Sequence, residues 1–116
     1  MRLELNETDK MAMQFDDEIR KRLGDRMGGT VLSDVSDTPH YRTFTLEFLA
    51  YNYMYVYINY TRGALSCGVK DGSHYVLLPN SQEEYSKMDI DKFVEELRRE
   101  IELRIPDKYL KAHGYM

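Results

Sequence analysis

Apolar residues near the start of the chain fall on one helical stripe. Met11, Ala12, Phe15, Ile19 and Leu23 recur at three- and four-residue spacing, with Asp16, Asp17, Arg20, Lys21 and Arg22 on the other side, which predicts an amphipathic helix over residues 7–23. Asn6 or Thr8 is suited to cap its start, and Gly24 to end it. Gly28 and Gly29 then punctuate the chain, and the pattern predicts a short strand over 30–32 and a polar surface loop over 33–40. From Thr43 to Leu78 the period falls to two. Phe44, Leu46 and Phe48 alternate with Thr43, Thr45 and Glu47, and a second strand runs to about Thr61. The joint between them, near Ala50 to Tyr53, carries no clear turn signal.

Arg62-Gly63 and Asp71-Gly72 read as two-residue hairpin turns. The first sets Thr61 opposite Ala64, Ile58 opposite Cys67 and Val56 opposite Val69. The second sets Val69 opposite His74 and Cys67 opposite Val76. One sheet face then holds Met54, Val56, Ile58, Tyr60, Leu65, Cys67, Val69, His74, Val76 and Leu78, and this nearly apolar set is the expected core. The opposite face holds Tyr51, Tyr53, Tyr55, Tyr57, Asn59, Ala64, Ser66, Gly68, Tyr75 and Leu77.

A second helix is expected over about 90–103, with Asp89 as cap, Met88 against Phe93, and a stripe of Ile90, Phe93, Val94, Leu97 and Ile101. Pro106 stops it and starts a short closing helix that Gly114 ends. The expected fold is α+β: a two-layer single domain, residues 1–116, with an antiparallel sheet of three to four strands and the N-terminal and C-terminal helices packed on one face.

Composition narrows the function. The 116 residues carry 16 Lys plus Arg against 20 Asp plus Glu, a formal net charge of -4, and one cysteine. That balance argues against a duplex-nucleic-acid binder, which relies on cations to neutralise phosphates. One cysteine makes no internal disulfide and no secretory start is visible, so a cytoplasmic location is expected. The stretch Phe44 to Tyr60 is too polar to span a membrane.

Catalytic chemistry is poorly represented. Cys67 and His74 share a face diagonally, but that face is the apolar one, where a thiol packs as a small hydrophobe. His40, His74 and His113 have no partner at metal-ligand spacing, and no glycine-rich phosphate loop is present. No catalytic residue, metal or cofactor is therefore expected, and the chain is not read as an enzyme.

Tyrosine is the unusual component: ten residues, with no tryptophan. Tyr51, Tyr53, Tyr55 and Tyr57 at period two, with Tyr75 on the same face, form a row of rigid amphipathic rings suited to protein contact. Asp34 and Asp37 in the polar loop are further candidates for partner contact. Two alternatives stand beside this one: a structural row covered by residues 24–42, or a stacking platform for single-stranded nucleic acid built on Tyr53, Tyr55 and Tyr57.

The stretch Glu100-Ile101-Glu102-Leu103-Arg104-Ile105-Pro106-Asp107-Lys108-Tyr109-Leu110, followed by His113-Gly114-Tyr115, resembles the closing segment of small immunity proteins. These accompany polymorphic and contact-dependent growth inhibition toxins of bacteria. The resemblance covers the last fifth of the chain and implies a non-catalytic protein that binds one cognate toxin domain, often a nuclease, and blocks it. It carries over no interface residues, because such partners use different surfaces. An acidic inhibitor fits a basic toxin, acting as a monomer or weak dimer.

Overall fold

A computed structural model describes residues 5–71, 74–78 and 83–116. Helix α1 (Glu7–Leu23) leads through a 3₁₀ turn into strand β1 (Met27–Ser36). Strands β2 (Thr43–Ala50), β3 (Met54–Thr61), β4 (Ala64–Asp71), β5 (His74–Leu77) and the short β6 (Glu83–Glu84) follow, then α2 (Ile90–Glu102) and α3 (Asp107–Ala112). The strands form one antiparallel sheet in the order β1-β2-β3-β4-β5, with β6 also on β4. The α+β class and antiparallel sheet match the sequence reading. The strand count exceeds the expected three to four because β1, expected only as a short strand over 30–32, runs the length of one edge and β6 adds a two-residue segment beside β4.

Helix α1 starts on a reciprocal cap. Asn6 Oδ1 accepts from the Asp9 amide at 2.7 Å and Asp9 Oδ2 accepts from the Asn6 amide at 3.1 Å, satisfying two backbone donors that a helix start otherwise leaves open. Helix α2 starts on Asp89, whose Oδ1 accepts from the amides of Asp91 and Lys92. Most of each stripe named above is buried: Ala12, Phe15, Ile19 and Leu23 on α1, and Phe93, Val94, Leu97 and Ile101 on α2, with Met11 and Ile90 at their margins only partly buried. Both cover the sheet face of Phe44, Leu46, Phe48, Val56, Ile58, Leu65, Cys67 and Val69 in one core. Phe15 sits at the junction, its ring centroid 6.3 Å from Phe44 and 6.0 Å from Phe93. Across the helix pair, Arg22 donates from Nε to Asp91 at 2.7 Å and from Nη1 to Glu18 at 2.9 Å.

The first hairpin follows the sequence reading. Thr61 pairs with Ala64 and Ile58 with Cys67, and Arg62 and Gly63 have φ of 52° and 91°, the positive values that let a two-residue turn follow the strand twist. The second hairpin differs by two residues. Val69 pairs with Val76 instead of His74, and Asp71 with His74, so Asp71 belongs to the ladder and not to a turn; Gly72, the other half of the expected turn, lies outside the described residues. An even shift leaves every residue on its expected face, because side chains alternate with period two. The core persists on β2, β3 and β4, but Val76, expected in it, is 42% exposed on the edge strand β5, and the expected diagonal of Cys67 and His74 is lost: Asp71, His74's partner, lies four residues from Cys67 along β4, about 13 Å.

Residues 33–36, expected in a loop, belong to β1. The ladder between β1 and β2 breaks register between Met27 and Thr30 and again between Ser33 and Ser36, with Asp34 at φ 54°. Such bulges admit polar residues and glycines into an edge strand. Arg20 of α1 tethers the first break, donating to the carbonyls of Met27 at 3.3 Å and Gly28 at 3.0 Å.

Candidate functional site

Both long helices lie on one sheet face, and the outer face of the central strands is open. Its middle is a transverse row across five strands: Val31 pairs with Glu47, Glu47 with Tyr57, Tyr57 with Gly68, and Gly68 with Leu77. At about 4.8 Å per strand the row spans about 19 Å. Val31 is 62% exposed and Leu77 48%. Leu49 and Tyr55 pair in the next row, and Tyr55 is 49% exposed. On the other flank the face turns polar, where Asn59 Nδ2 donates to Thr45 Oγ1 at 2.9 Å and Thr61 Oγ1 donates to Asn59 Oδ1 at 2.6 Å. The surface is therefore graded, aromatic and aliphatic at one end and hydroxyl- and amide-bearing at the other.

Gly68 shapes the middle of that row. A Cβ placed on it would lie 2.3 Å from Tyr57 Cε1 and 2.4 Å from Cζ, so the phenol ring lies flat across β4 where only a glycine leaves room. A tyrosine laid flat offers a rigid aromatic shelf, with few rotamers left to lose when a partner covers it.

The candidate residues from the sequence divide. Tyr55 and Tyr57 hold the expected face. Tyr53 stands at the sheet's end, 43% exposed, with its ring edge-on to Tyr109 of α3 at 4.8 Å. Tyr51 is a correction: it is fully buried, in contact with Tyr115 at 5.0 Å. Its phenol donates to Glu102 Oε2, so it belongs to the core and not to a partner surface. The period-two count fails there because Tyr51 and Asn52 have φ of 58° and 52° and form the turn before β3, where the Tyr53 amide donates to the Ala50 carbonyl at 2.9 Å. Burial, followed by the Glu102 hydrogen bond, raises the Tyr51 phenol well above its ordinary range. Tyr75 pairs with Lys70 along the backbone; its side chain lies outside the described residues.

Asp37 is the second correction. Its Oδ1 accepts from the Thr8 hydroxyl at 2.7 Å and the Thr8 amide at 3.1 Å, and from Arg42 Nη1. It ties the strand end to the start of α1. The Thr8 hydroxyl above all, with help from the Thr8 amide and Arg42, holds its carboxyl below the usual aspartate range. Asp34 is exposed on β1. Val31 was the residue missed: its position in an apparently short strand gave it no face, and only the full β1 pairing places it beside Glu47.

Cys67 is fully buried, and desolvation pushes its thiol pKa strongly upward, the reverse of what a nucleophile needs. The side chain of His74 lies outside the described residues. Among the described residues no group of three or more His, Cys, Asp and Glu side chains is placed to hold a metal ion. No helix among them is long and apolar enough to cross a membrane. The segment that carries the immunity-protein resemblance has a local structural role here: Ile105 and Leu110 are buried, and the Tyr109 phenol donates toward the carbonyls of Tyr51 and Asn52. No family model matches the chain, and comparison with curated proteins and with solved structures returns no match.

Proposed function

We propose that this chain is a non-catalytic inhibitor of the immunity-protein kind, which binds a bacterial toxin domain through the outer face of its sheet and blocks that domain by occlusion. The observation that carries the reading is the open row from Val31 through Tyr57 to Leu77, with Tyr55 beside it. Rigid rings and aliphatic side chains on a stiff sheet give large contact area at low entropic cost, and tyrosine is enriched among residues that dominate binding. The polar flank of Thr45 and Asn59 supplies hydrogen-bonding groups for the rim of such an interface. Net charge adds steering: at -4 the chain approaches a basic nuclease-like domain faster than a neutral one would.

The test is co-purification with the product of the adjacent gene, followed by titration of that complex. Tyr55→Ala with Tyr57→Ala is expected to weaken binding by about a hundredfold, as loss of two central aromatic contacts does. A double variant that binds as tightly as the parent removes this face as the interface. If the chain instead retained single-stranded nucleic acid with an affinity falling steeply in salt, the inhibitor reading would give way to a stacking module.

A further inference from the structure

The opposite end of the sheet from the 50–53 turn carries a second surface of different chemistry. There the segment leading into β2 meets the β3–β4 turn, held by the Arg62 amide donating to the Arg42 carbonyl at 3.0 Å. A cavity of about 450 Å³ opens at this junction, lined by His40, Arg42, Tyr60, Arg62 and Gly63. Two permanent cations and a histidine face it, with no carboxylate in its lining, in a chain whose net charge is -4.

The two arginines are held differently. Arg42 Nη1 donates to Thr8 Oγ1 at 2.9 Å and to Asp37, which fixes the guanidinium while leaving its other N–H donors for a ligand. Arg62 forms no ion pair among the described residues; its guanidinium carbon lies 4.6 Å from the centroid of the Tyr41 ring. Stacking on an aromatic face steadies the planar fork without using its donors. An open trough of about 700 Å³ shares Tyr60, Arg62 and Gly63 with this cavity and adds Tyr85, the hydroxyls of Thr61, Ser66 and Ser86, and one carboxylate, Glu84.

We infer that the cavity is an anion site for a small phosphate monoester, with the phosphoryl oxygens on Arg62 and Arg42 and the organic group along the tyrosine-lined trough. Phosphate fits better than a carboxylate because its tetrahedral oxygens meet two forks approaching from different segments, and arginine is the side chain suited to bidentate phosphate contact. The adjoining trough, with Tyr60 and Tyr85 in its lining, offers an organic group a surface beside the phosphoryl site, so an ester is favoured over the free ion. The arginine end of this surface lies away from the row of Val31, Tyr57 and Leu77, while the trough borders the polar flank of the outer face at Asn59, Thr61 and Ser66; anion binding there does not depend on the inhibitor reading.

The experiment uses the full chain at constant ionic strength, titrated with inorganic phosphate and with phenyl phosphate and followed by amide chemical shifts. Saturable binding is expected for both, tighter for phenyl phosphate, with shifts centred on residues 40–42 and 60–63. Arg62→Asn, chosen because asparagine tolerates the positive φ of the turn, should weaken both ligands at least about tenfold with the melting temperature preserved, and Arg62→Lys should weaken them less. Shifts that never saturate, equal displacement by chloride, or unchanged affinity in Arg62→Asn would overturn the assignment.

Discussion

The Tyr51 phenol donates a hydrogen bond to Glu102 Oε2 at 2.5 Å, joining the turn between β2 and β3 to the last residue of α2. A bulky residue with φ of 58° is uncommon, and here the conformation is held by burial of its ring and by Tyr109, whose phenol lies 2.9 Å from the Tyr51 carbonyl and 3.0 Å from that of Asn52. Tyr51→Phe leaves the ring and removes the bond, and should cost about 1–2 kcal/mol in urea unfolding. The same variant tests an alkaline effect. The folded phenol titrates above the unfolded value of about 10, so its contribution is complete below that pH and is lost as pH rises further. Parent and Tyr51→Phe stabilities should therefore converge on the alkaline side; a constant difference to high pH would refute the coupling.

Asp37 predicts the matching behaviour in acid. Its carboxyl is lowered by the Thr8 hydroxyl first and by the Thr8 amide and Arg42 after it, so its stabilising effect is present above the unfolded aspartate range and lost as pH falls through the lower folded value. Asp37→Asn should be less stable than the parent at neutral pH, with the gap closing below about pH 4. Helix α1 should be where the loss appears first, read as faster amide exchange at Thr8 and Asp9.

Gly68 and Tyr57 should behave as a coupled pair. Gly68→Ala forces the partly buried Tyr57 ring off the sheet, at a cost of about 1 kcal/mol. With Tyr57 already changed to Ala, the added methyl has room, and Gly68→Ala should be neutral or stabilising by up to about 1 kcal/mol, because alanine loses less freedom than glycine in a strand. Additive effects in the double-mutant cycle would show that the ring does not rest on Gly68.

Cys67 should be chemically silent. With the thiol buried and its pKa raised, Ellman's reagent at mildly alkaline pH should modify the unfolded chain within seconds and the native chain only at the rate of opening. Cys67→Ala should leave partner binding intact. Rapid reaction of the native protein would contradict the burial.

What the sequence made legible follows from what side-chain patterns encode. The two helical stripes and the apolar sheet face rest on a period and the Arg62-Gly63 turn on its glycine, and they stand except at Val76, exposed on the edge strand. Parity does not set register, which is why the β4–β5 pairing differed by two residues without exchanging a single face. Tyr51 escaped for a related reason: an alternating count has no marker for where a strand ends, and neither Tyr51 nor Asn52 is a glycine that would have signalled positive φ. The polar run Ser33-Asp34-Val35-Ser36 looked like a loop because edge strands with bulges relax the alternation that interior strands enforce. Asp37 looked available because the Thr8 and Arg42 that engage it lie 29 and 5 residues away, and Thr8 comes near only once α1 has docked.

The two breaks in β1 determine how this sheet can be read by another molecule. A long smooth edge invites recognition through the main chain, which is generic and shared by any extended peptide. A broken edge, tethered at one break by Arg20, is poorly suited to that, and under the proposed inhibitor reading recognition falls to the side chains of the outer face. On that reading specificity is editable one residue at a time: Val31, Tyr55 and Leu77 are exposed and can be replaced without disturbing the strand pairings or the core beneath them, while the scaffold stays the same.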